Sequence, residues 1–208
     1  PFWFRDDFEE DSIGRYVKYG DMKSVGTVSV DTTNSRLVFT NTGNSSLKIT
    51  DEDIRDSIIE FDWTPITANS LGQCYLTVTV ASDEVSTYMY NPGETHLMNI
   101  ISFSVTENSI RYFTGTTPES TKNLSGVTFD LGNTYHIKIT SDMAAGTVSV
   151  EVNGVAQTPH TWATAYSCHK IGIGTFYATG DQVQLHYVEN LQISGTRVYQ
   201  KPIHRGAM

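Results

Sequence analysis

Residues 134–157 read TYHIKITSDMAAGTVSVEVNGVAQ, and apolar side chains occupy every second position in both halves of this stretch. The alternating apolar residues are Tyr135, Ile137 and Ile139 in the first half and Val148, Val150 and Val152 in the second. Alternation with period 2 is typical of β-strands with one buried face, and residues 141–146 between the halves favour a turn. The pair Asn153-Gly154 supplies the positive φ angles of a further two-residue reversal. The stretch therefore predicts a β-hairpin and then a second tight turn into residues 155–156.

Short runs of the same kind recur along the rest of the chain, with turn-forming residues between them. They occupy residues 15–19, 25–30, 36–40, 57–66, 73–81, 97–105, 110–114, 168–177 and 182–194. No segment sustains the 3.6-residue period of an amphipathic helix, and residues 51–56 favour one helical turn at most. This spacing is typical of an all-β protein, and we expect a two-sheet antiparallel β-sandwich.

Three parts of the sequence together resemble one known family. The pattern Tyr-His-Ile-x-Ile, turn, Thr-Val-x-Val-x-Val, Asn-Gly-Val lies in residues 135–155, Phe-Arg-Asp-Asp-Phe lies at 4–8, and Val-Glu-Asn-Leu-Gln-Ile lies at 188–193. These segments resemble the concanavalin A-like lectin and glucanase jelly rolls, including laminin-G-like and pentraxin-like domains. The resemblance implies a jelly roll over nearly the whole chain, with the first strand paired to the last. It assigns no function by itself, because this fold carries enzymes, lectins and structural modules.

Length and charge limit the class of protein. The 208 residues, 38% of them hydrophobic, can bury a substantial core, and we expect a single domain over residues 1–208. A net charge of -9 disfavours nucleic acid as a partner. No apolar run reaches the roughly 18 residues of a membrane-spanning helix, so we expect no membrane insertion.

The first residues, the composition and the cysteines bear on the cellular location of the protein. The start Pro1-Phe2-Trp3 has no initiator methionine or signal-peptide core, so we interpret the chain as a module of a larger or processed protein. A Ser/Thr-rich, Lys-poor composition favours an extracellular, cell-surface or virion-surface location. Cys74 and Cys168 are the only cysteines, and the sequence leaves open whether they form a disulfide or remain two buried thiols.

Glu60 and Asp62 are the candidate catalytic residues. In the run Ile-Glu-Phe-Asp-Trp at 59–63 they share one face of a predicted strand, and the apolar side chains share the other. Retaining glycosidases place two carboxyl groups about 5–5.5 Å apart, a separation that i and i+2 side chains approach on a twisted strand. The laminarinase-like branch of the resembled family adds a glutamate shortly afterwards, whereas Thr-Pro-Ile follows here. The usual acid/base carboxylate is thus absent, and we favour a non-catalytic role.

A polysaccharide lyase on this scaffold requires an Arg-rich, a Gln-x-His and a Tyr-rich strand. Gln184 and His186 supply only the second, and the negative net charge disfavours uronate polymers. We interpret His186 as a surface or hydrogen-bonded residue rather than a catalytic base.

Glu189 falls within the apolar phase of the predicted last strand. That phase consists of Val183, Leu185, Tyr187, Leu191 and Ile193. Either the carboxylate is buried with a partner, or the strand bulges or is exposed there. We favour the bulge or exposed edge, because burying an unpaired carboxylate is costly.

Two aromatic segments fit sugar binding, since a pyranose presents an apolar face and a rim of hydroxyl groups. One is the turn that carries Tyr88 and Tyr90, and the other is the loop that carries His160, Trp162 and Tyr166. The alternative for each ring is that it caps an edge of the core. We expect at least one of them to be exposed.

The polar phase of the hairpin has its own predicted neighbours. If its sheet is the concave one, His136, Lys138 and Glu151 lie near Glu60 and Asp62 as the floor of a groove. The sequence leaves open whether such a groove is open or covered.

Three functions remain open, of which we favour the first. The chain is a lectin-like module that binds a glycan or polysaccharide, a glycoside hydrolase or polysaccharide lyase that uses Glu60 and Asp62, or a structural domain that contacts other subunits of a surface assembly. Because lectins and laminin-G-like domains often bind calcium, the resemblance also implies a structural calcium ion. The candidate loop ligands are Asp21, Asp83 and Asp181.

Overall fold

The computed structural model describes residues 2–19, 27–41, 45–49, 54–82, 98–115, 117–166, 171–175 and 184–197. Among the residues singled out above, those outside these ranges are Pro1, Asp21, Asp83, Tyr88, Tyr90, Cys168, Asp181 and Val183. The described residues form two antiparallel β-sheets and one short 3-10 turn at Ile13–Arg15. None of their helices is long and apolar enough to cross a membrane.

Strands make up most of the described chain. They are β1 (Phe2–Asp6), β2 (Val17–Tyr19), β3 (Thr27–Asp31), β4 (Arg36–Asn41), β5 (Ser45–Lys48), β6 (Ile54–Thr67), β7 (Tyr75–Ser82), β8 (Met98–Ser104), β9 (Ser109–Thr114), β10 (Thr117–Asn123), β11 (Tyr135–Asp142), β12 (Thr147–Val152), β13 (Val155–Ala156), β14 (His160–Thr161), β15 (Gly172–Thr175) and β16 (Gln184–Arg197). Most follow the predicted runs, whereas β5, β10 and β14 lie where the sequence pattern indicated none. The predicted helical turn is wrong in its described part, because residues 54–56 begin β6.

The predicted hairpin is formed by β11 and β12. Ile137 pairs with Val152, so the apolar phases of the two strands coincide on one face. Asn153 and Gly154 have φ angles of 52° and 77°, which confirms the second reversal. The reversal leads into β13, which pairs with the end of β12.

Sheet A contains the hairpin and both ends of the described chain. Its strand order is β13-β12-β11-β6-β16-β4-β3, with β14 also paired to β12 and β1 also paired to β16. The long strand β16 runs beside β6 on one side, and on its other side it pairs with β4 and β1 one after the other. The predicted pairing of the first and last strands is confirmed, with Phe4 opposite Ile193.

Sheet B has the order β10-β9-β8-β7-β15-β5-β2 and packs against sheet A. Leu76 and Val78 of β7, Ile101 of β8 and Ile173 of β15 turn their side chains to the shared core. Cys74, just before β7, is a free thiol buried in the same core, and this burial raises its pKa to about 12.

Trp63 lies at the centre of the core, completely buried between the sheets. Its ring meets Phe129 edge-on at 5.1 Å between centroids, and Phe103 of sheet B lies at 6.2 Å. Aromatic rings at these separations and angles attract one another beyond the gain from burying their area. The two-sheet sandwich predicted from the sequence is therefore present, closed around a core rich in aromatic residues.

Candidate functional site

Glu60 and Asp62 lie on the outer face of sheet A, in β6 at the middle of the sheet. Their apolar neighbours in the strand are completely buried, so the two carboxylates point away from the core. The register places Lys138 opposite Glu60 and His136 opposite Asp62. Glu151 of β12 lies opposite Lys138, and their charged groups are 3.7 Å apart. The predicted neighbourhood of these five residues is confirmed.

Both carboxylate oxygens of Asp62 already have partners. His136 Nδ1 lies 2.9 Å from Oδ1, and the Asn190 side-chain amide donates to Oδ2 at 2.7 Å. The backbone N–H of His136 in turn donates to Asn153 Oδ1 at 2.8 Å. Asp62 is thus held between two neighbouring strands as part of a cross-strand polar network.

A β-bulge in β16 accounts for Glu189. The register shifts between Glu189 and Gln192, and Asn190 takes a left-handed φ of 53°. Glu189 is half-buried at the sheet surface opposite Asp62, not inside the core. The predicted bulge is confirmed. It also aims Asn190 at Asp62, a contact that the alternation pattern did not indicate.

The bulge reverses the predicted phase of the first half of β16. Leu185 and Tyr187 are only half-buried, whereas Gln184 and His186 are buried. The interpretation of His186 as a surface or hydrogen-bonded residue is therefore wrong. Its ring is completely buried and stacked on Phe39 with 4.9 Å between centroids, and neither ring nitrogen has a hydrogen-bond partner among the described residues. Burial lowers the pKa of His186 to about 3, so the ring is neutral.

The described loop aromatics cap the core. Trp162 is 4% exposed and His160 is 7% exposed. His160 stacks on Tyr112 with 4.3 Å between centroids, and Trp162 meets His160 edge-on at 4.7 Å. Tyr166 is half-buried and packs against the same core. His160 and Trp162 thus lack the open ring face that a sugar platform requires, and sugar binding by this loop stays a prediction.

Glu119 of β10 holds this loop in place. Its Oε2 accepts hydrogen bonds from His160 Nε2 at 3.0 Å and from the Ala163 backbone N–H at 3.1 Å, and its Oε1 bonds to the Thr114 hydroxyl. Burial raises the pKa of Glu119, but these hydrogen bonds together outweigh burial and leave the pKa below its usual value. Burial lowers the pKa of His160 by more than Glu119 raises it. The pKa of His160 therefore lies below its usual value, and Nε2 is the ring atom that faces the carboxylate.

The outer face of sheet B is lined by small residues. The register aligns Gly174, Thr77 and Ser102 in one row across three strands, with Thr79 and Gly172 in the next row. All five are buried, so this part of the face offers no free surface in the structure. A separate apolar cluster, formed by Met98, Ile100 and Phe113, lies on strands β8 and β9.

An acidic cavity of about 460 Å³ lies beside residues 6–15. Several of its carboxylates are engaged within the loop: Asp6 accepts from the Phe8 backbone N–H at 3.0 Å and from the Tyr16 hydroxyl at 2.7 Å. Burial, assisted by Asp6, raises the pKa of Tyr16. In the described part of the chain, no three acidic, histidine or cysteine side chains are grouped as metal ligands. The predicted calcium ligands lie elsewhere, outside the described residues.

The fold has solved counterparts. Winged bean acidic lectin, in complex with methyl-α-D-galactose, matches 95% of this chain over 99% of its own, with a TM-score of 0.67 and 10% identity. The carbohydrate-binding module CBM66 from Bacillus subtilis matches 92% of this chain over 95% of its own, with a TM-score of 0.55 and 9% identity. A sialidase matches 93% of this chain with a TM-score of 0.64 and 12% identity, but the chain spans only 18% of its length.

These likenesses define the class by its fold: the chain has the concanavalin A-like jelly roll shared by legume lectins and carbohydrate-binding modules. No protein-family model matches the sequence. No curated protein is similar to it in sequence either. At identities near a tenth, the neighbours establish the fold, and the function has to be argued from the site.

Proposed function

We propose that this chain is a non-catalytic, lectin-like carbohydrate-binding module of an extracellular, cell-surface or virion-surface protein, with a glycan or polysaccharide as its partner. The observation that carries the proposal is the match over almost the full length of two proteins: a lectin in complex with a galactoside and a carbohydrate-binding module. In both, the jelly roll makes up nearly the whole solved chain. A second domain is therefore not needed for the proposed activity. The location rests on the Ser/Thr-rich, Lys-poor composition.

The enzyme alternatives have less support. Asp62 would be the partner of Glu60 in a hydrolase, but its two carboxylate oxygens are hydrogen-bonded to His136 and Asn190. Residues 64–66, where a further carboxylate would follow, are Thr-Pro-Ile. His186, the base of a lyase, is completely buried in the core and is not exposed on the sheet surface. The Asp62 network fits a role in holding β6, β11 and β16 together better than a role in catalysis.

A glycan array on the fluorescently labelled protein tests the proposal. The array carries neutral, sialylated, sulfated and uronate-containing glycans, and hits are repeated with free glycan as competitor. We expect saturable binding that the free glycan displaces. An array that stays blank at high protein concentration contradicts the proposal. Incubation with end-labelled glycans is the control for catalysis, and cleavage products that Glu60→Gln abolishes would establish the hydrolase instead.

A further inference from the structure

Trp3 is the most exposed large apolar side chain among the described residues, at 64%. It belongs to β1, where Phe4 turns to the core and packs on Tyr16 at 5.9 Å between centroids. Strand alternation therefore places Trp3 on the outer face of sheet A, the face of Glu60. An exposed indole offers a flat apolar surface, which is the shape that stacks on the C–H face of a sugar ring.

The register aligns this indole with a row of short side chains. Trp3 lies opposite Ser194, Ser194 lies opposite Ile58, and Ile58 lies opposite Thr140. Directly opposed residues in antiparallel strands share a face, so these side chains form a line across four strands. The line spans about 14 Å, at about 4.8 Å per strand spacing. No bulky side chain in it rises beside the indole except Ile58, which is itself 37% exposed.

The adjacent row carries hydrogen-bonding groups that the protein does not use. Arg5 lies opposite Gln192, and Gln192 lies opposite Glu60. Among the described residues these three side chains have no hydrogen-bond or ion-pair partner, in contrast to Asp62 one row further. Diagonal neighbours on a sheet are about 7–8 Å apart, so Gln192 is within reach of a hydroxyl group on a sugar stacked on Trp3.

The charge of this face selects among glycans. Glu60, Asp62, Glu151 and Glu189 bring four carboxylates to the outer face of sheet A, where they outnumber the cationic side chains of Arg5 and Lys138. The whole chain has a net charge of -9. Uronate, sulfate and sialate groups would be repelled, whereas the hydroxyl groups of a neutral sugar donate well to carboxylates.

We propose that a neutral glycan binds across this outer face, with the Trp3 indole as its stacking platform and Gln192, Glu60 and Arg5 as its hydrogen-bonding partners. The Asp62 network holds the strands beneath it in register and does not contact the sugar. This inference rests on the proposed carbohydrate-binding function and assigns that function to one face of one sheet.

The test measures, by calorimetry, the affinity of matched variants for the neutral glycan that binds best on the array. Trp3→Ala should weaken binding about tenfold or more, because the substitution removes the apolar contact area that a sugar ring buries on the face of the indole. Trp3→Phe should restore part of the affinity, and Gln192→Ala should weaken it less than Trp3→Ala does. Leu71→Ala is the control, since Leu71 is 55% exposed but lies in the turn after β6, far along the strand from Ile58. Unchanged thermal unfolding of Trp3→Ala excludes misfolding as the cause.

Intrinsic fluorescence supplies a second readout. The chain has three tryptophans, and Trp63 and Trp162 are buried. Glycan should therefore change the emission of the unmodified protein and of Leu71→Ala but not that of Trp3→Phe. If Trp3→Ala binds as well as the unmodified protein, the assigned face is wrong and the proposed function stands. Binding restricted to anionic glycans overturns the neutral class, and no binding by the unmodified protein overturns both proposals.

Discussion

Replacing His186 by phenylalanine should make the protein less sensitive to acid. The imidazole is completely buried, stacked on Phe39 and edge-on to Trp63, and within the described part of the chain neither ring nitrogen has a hydrogen-bond partner. An unfolded histidine with a pKa of 6.5 takes up a proton readily, whereas burial holds the folded pKa at about 3. The folded state therefore binds fewer protons than the unfolded state throughout the range between these values.

The magnitude follows from the two pKa values. Because the folded pKa is depressed, the contribution to stability is fully present above about pH 6.5 and is lost as the pH falls towards 3. At about 1.4 kcal/mol per pH unit, the site loses about 2 kcal/mol between pH 7.5 and pH 5. A phenylalanine keeps the ring stack and does not titrate. The difference in unfolding free energy between His186→Phe and the unmodified protein should therefore grow by about 2 kcal/mol over that range.

Urea unfolding followed by tryptophan fluorescence at several pH values measures this difference. His186→Gln is the matched control, because it also removes the titration but leaves an unpaired buried amide. Both variants should show the same flattening with pH, and only His186→Phe should gain stability at neutral pH, by about 1–3 kcal/mol less any cost of the larger ring. A difference that stays constant from pH 7.5 to pH 5 would refute the reasoning, because it would mean that His186 titrates alike in both states.

Two further substitutions test the packing of β16 and the anchoring of the loop that carries His160 and Ala163. In Gly195→Ala the new methyl group would lie 2.5 Å from the Asp56 carbonyl oxygen, a backbone atom that cannot move aside. The unfolding free energy should therefore fall by about 1–3 kcal/mol. Stability equal to that of the unmodified protein would show that β6 and β16 can separate at no cost. Glu119→Gln should weaken the bonds to His160 and to the Ala163 amide, and hydrogen exchange of the Ala163 amide should accelerate about tenfold; unchanged exchange would mean that other contacts hold the loop.

The fold could be predicted from local patterns because its informative strands alternate strictly. In the β11–β12 hairpin the alternating apolar residues face the core. Asn153-Gly154 is a strong signal of a two-residue turn, because both residues adopt positive φ angles readily. β10 was missed because it is polar at nearly every position and is an edge strand of sheet B, so burial imposes no period on it. β14 is two residues long and forms only through pairing with a distant strand, which no local pattern reports.

The site was less predictable, because it depends on register between distant strands. The juxtaposition of Glu60 with Lys138 followed from two alternating runs that had to share a sheet. The hydrogen bond from Asn190 to Asp62 depends on which residue of β16 forms the bulge. The sequence pattern indicated only the approximate position of that bulge. Trp3 was passed over because an aromatic residue near a chain end carries no signal of exposure until its strand is paired.

Because β4 and β1 lie one after the other along the same side of β16, β1 forms a short, separate edge of sheet A. β1 is attached to the sheet through five residue pairs with β16 and pairs with no other described strand. A synthetic peptide that carries this strand is therefore a natural partner for a chain that lacks it, in the manner of a split protein. Such semisynthesis would place non-natural aromatic groups at position 3 and turn the stacking platform into an exchangeable part.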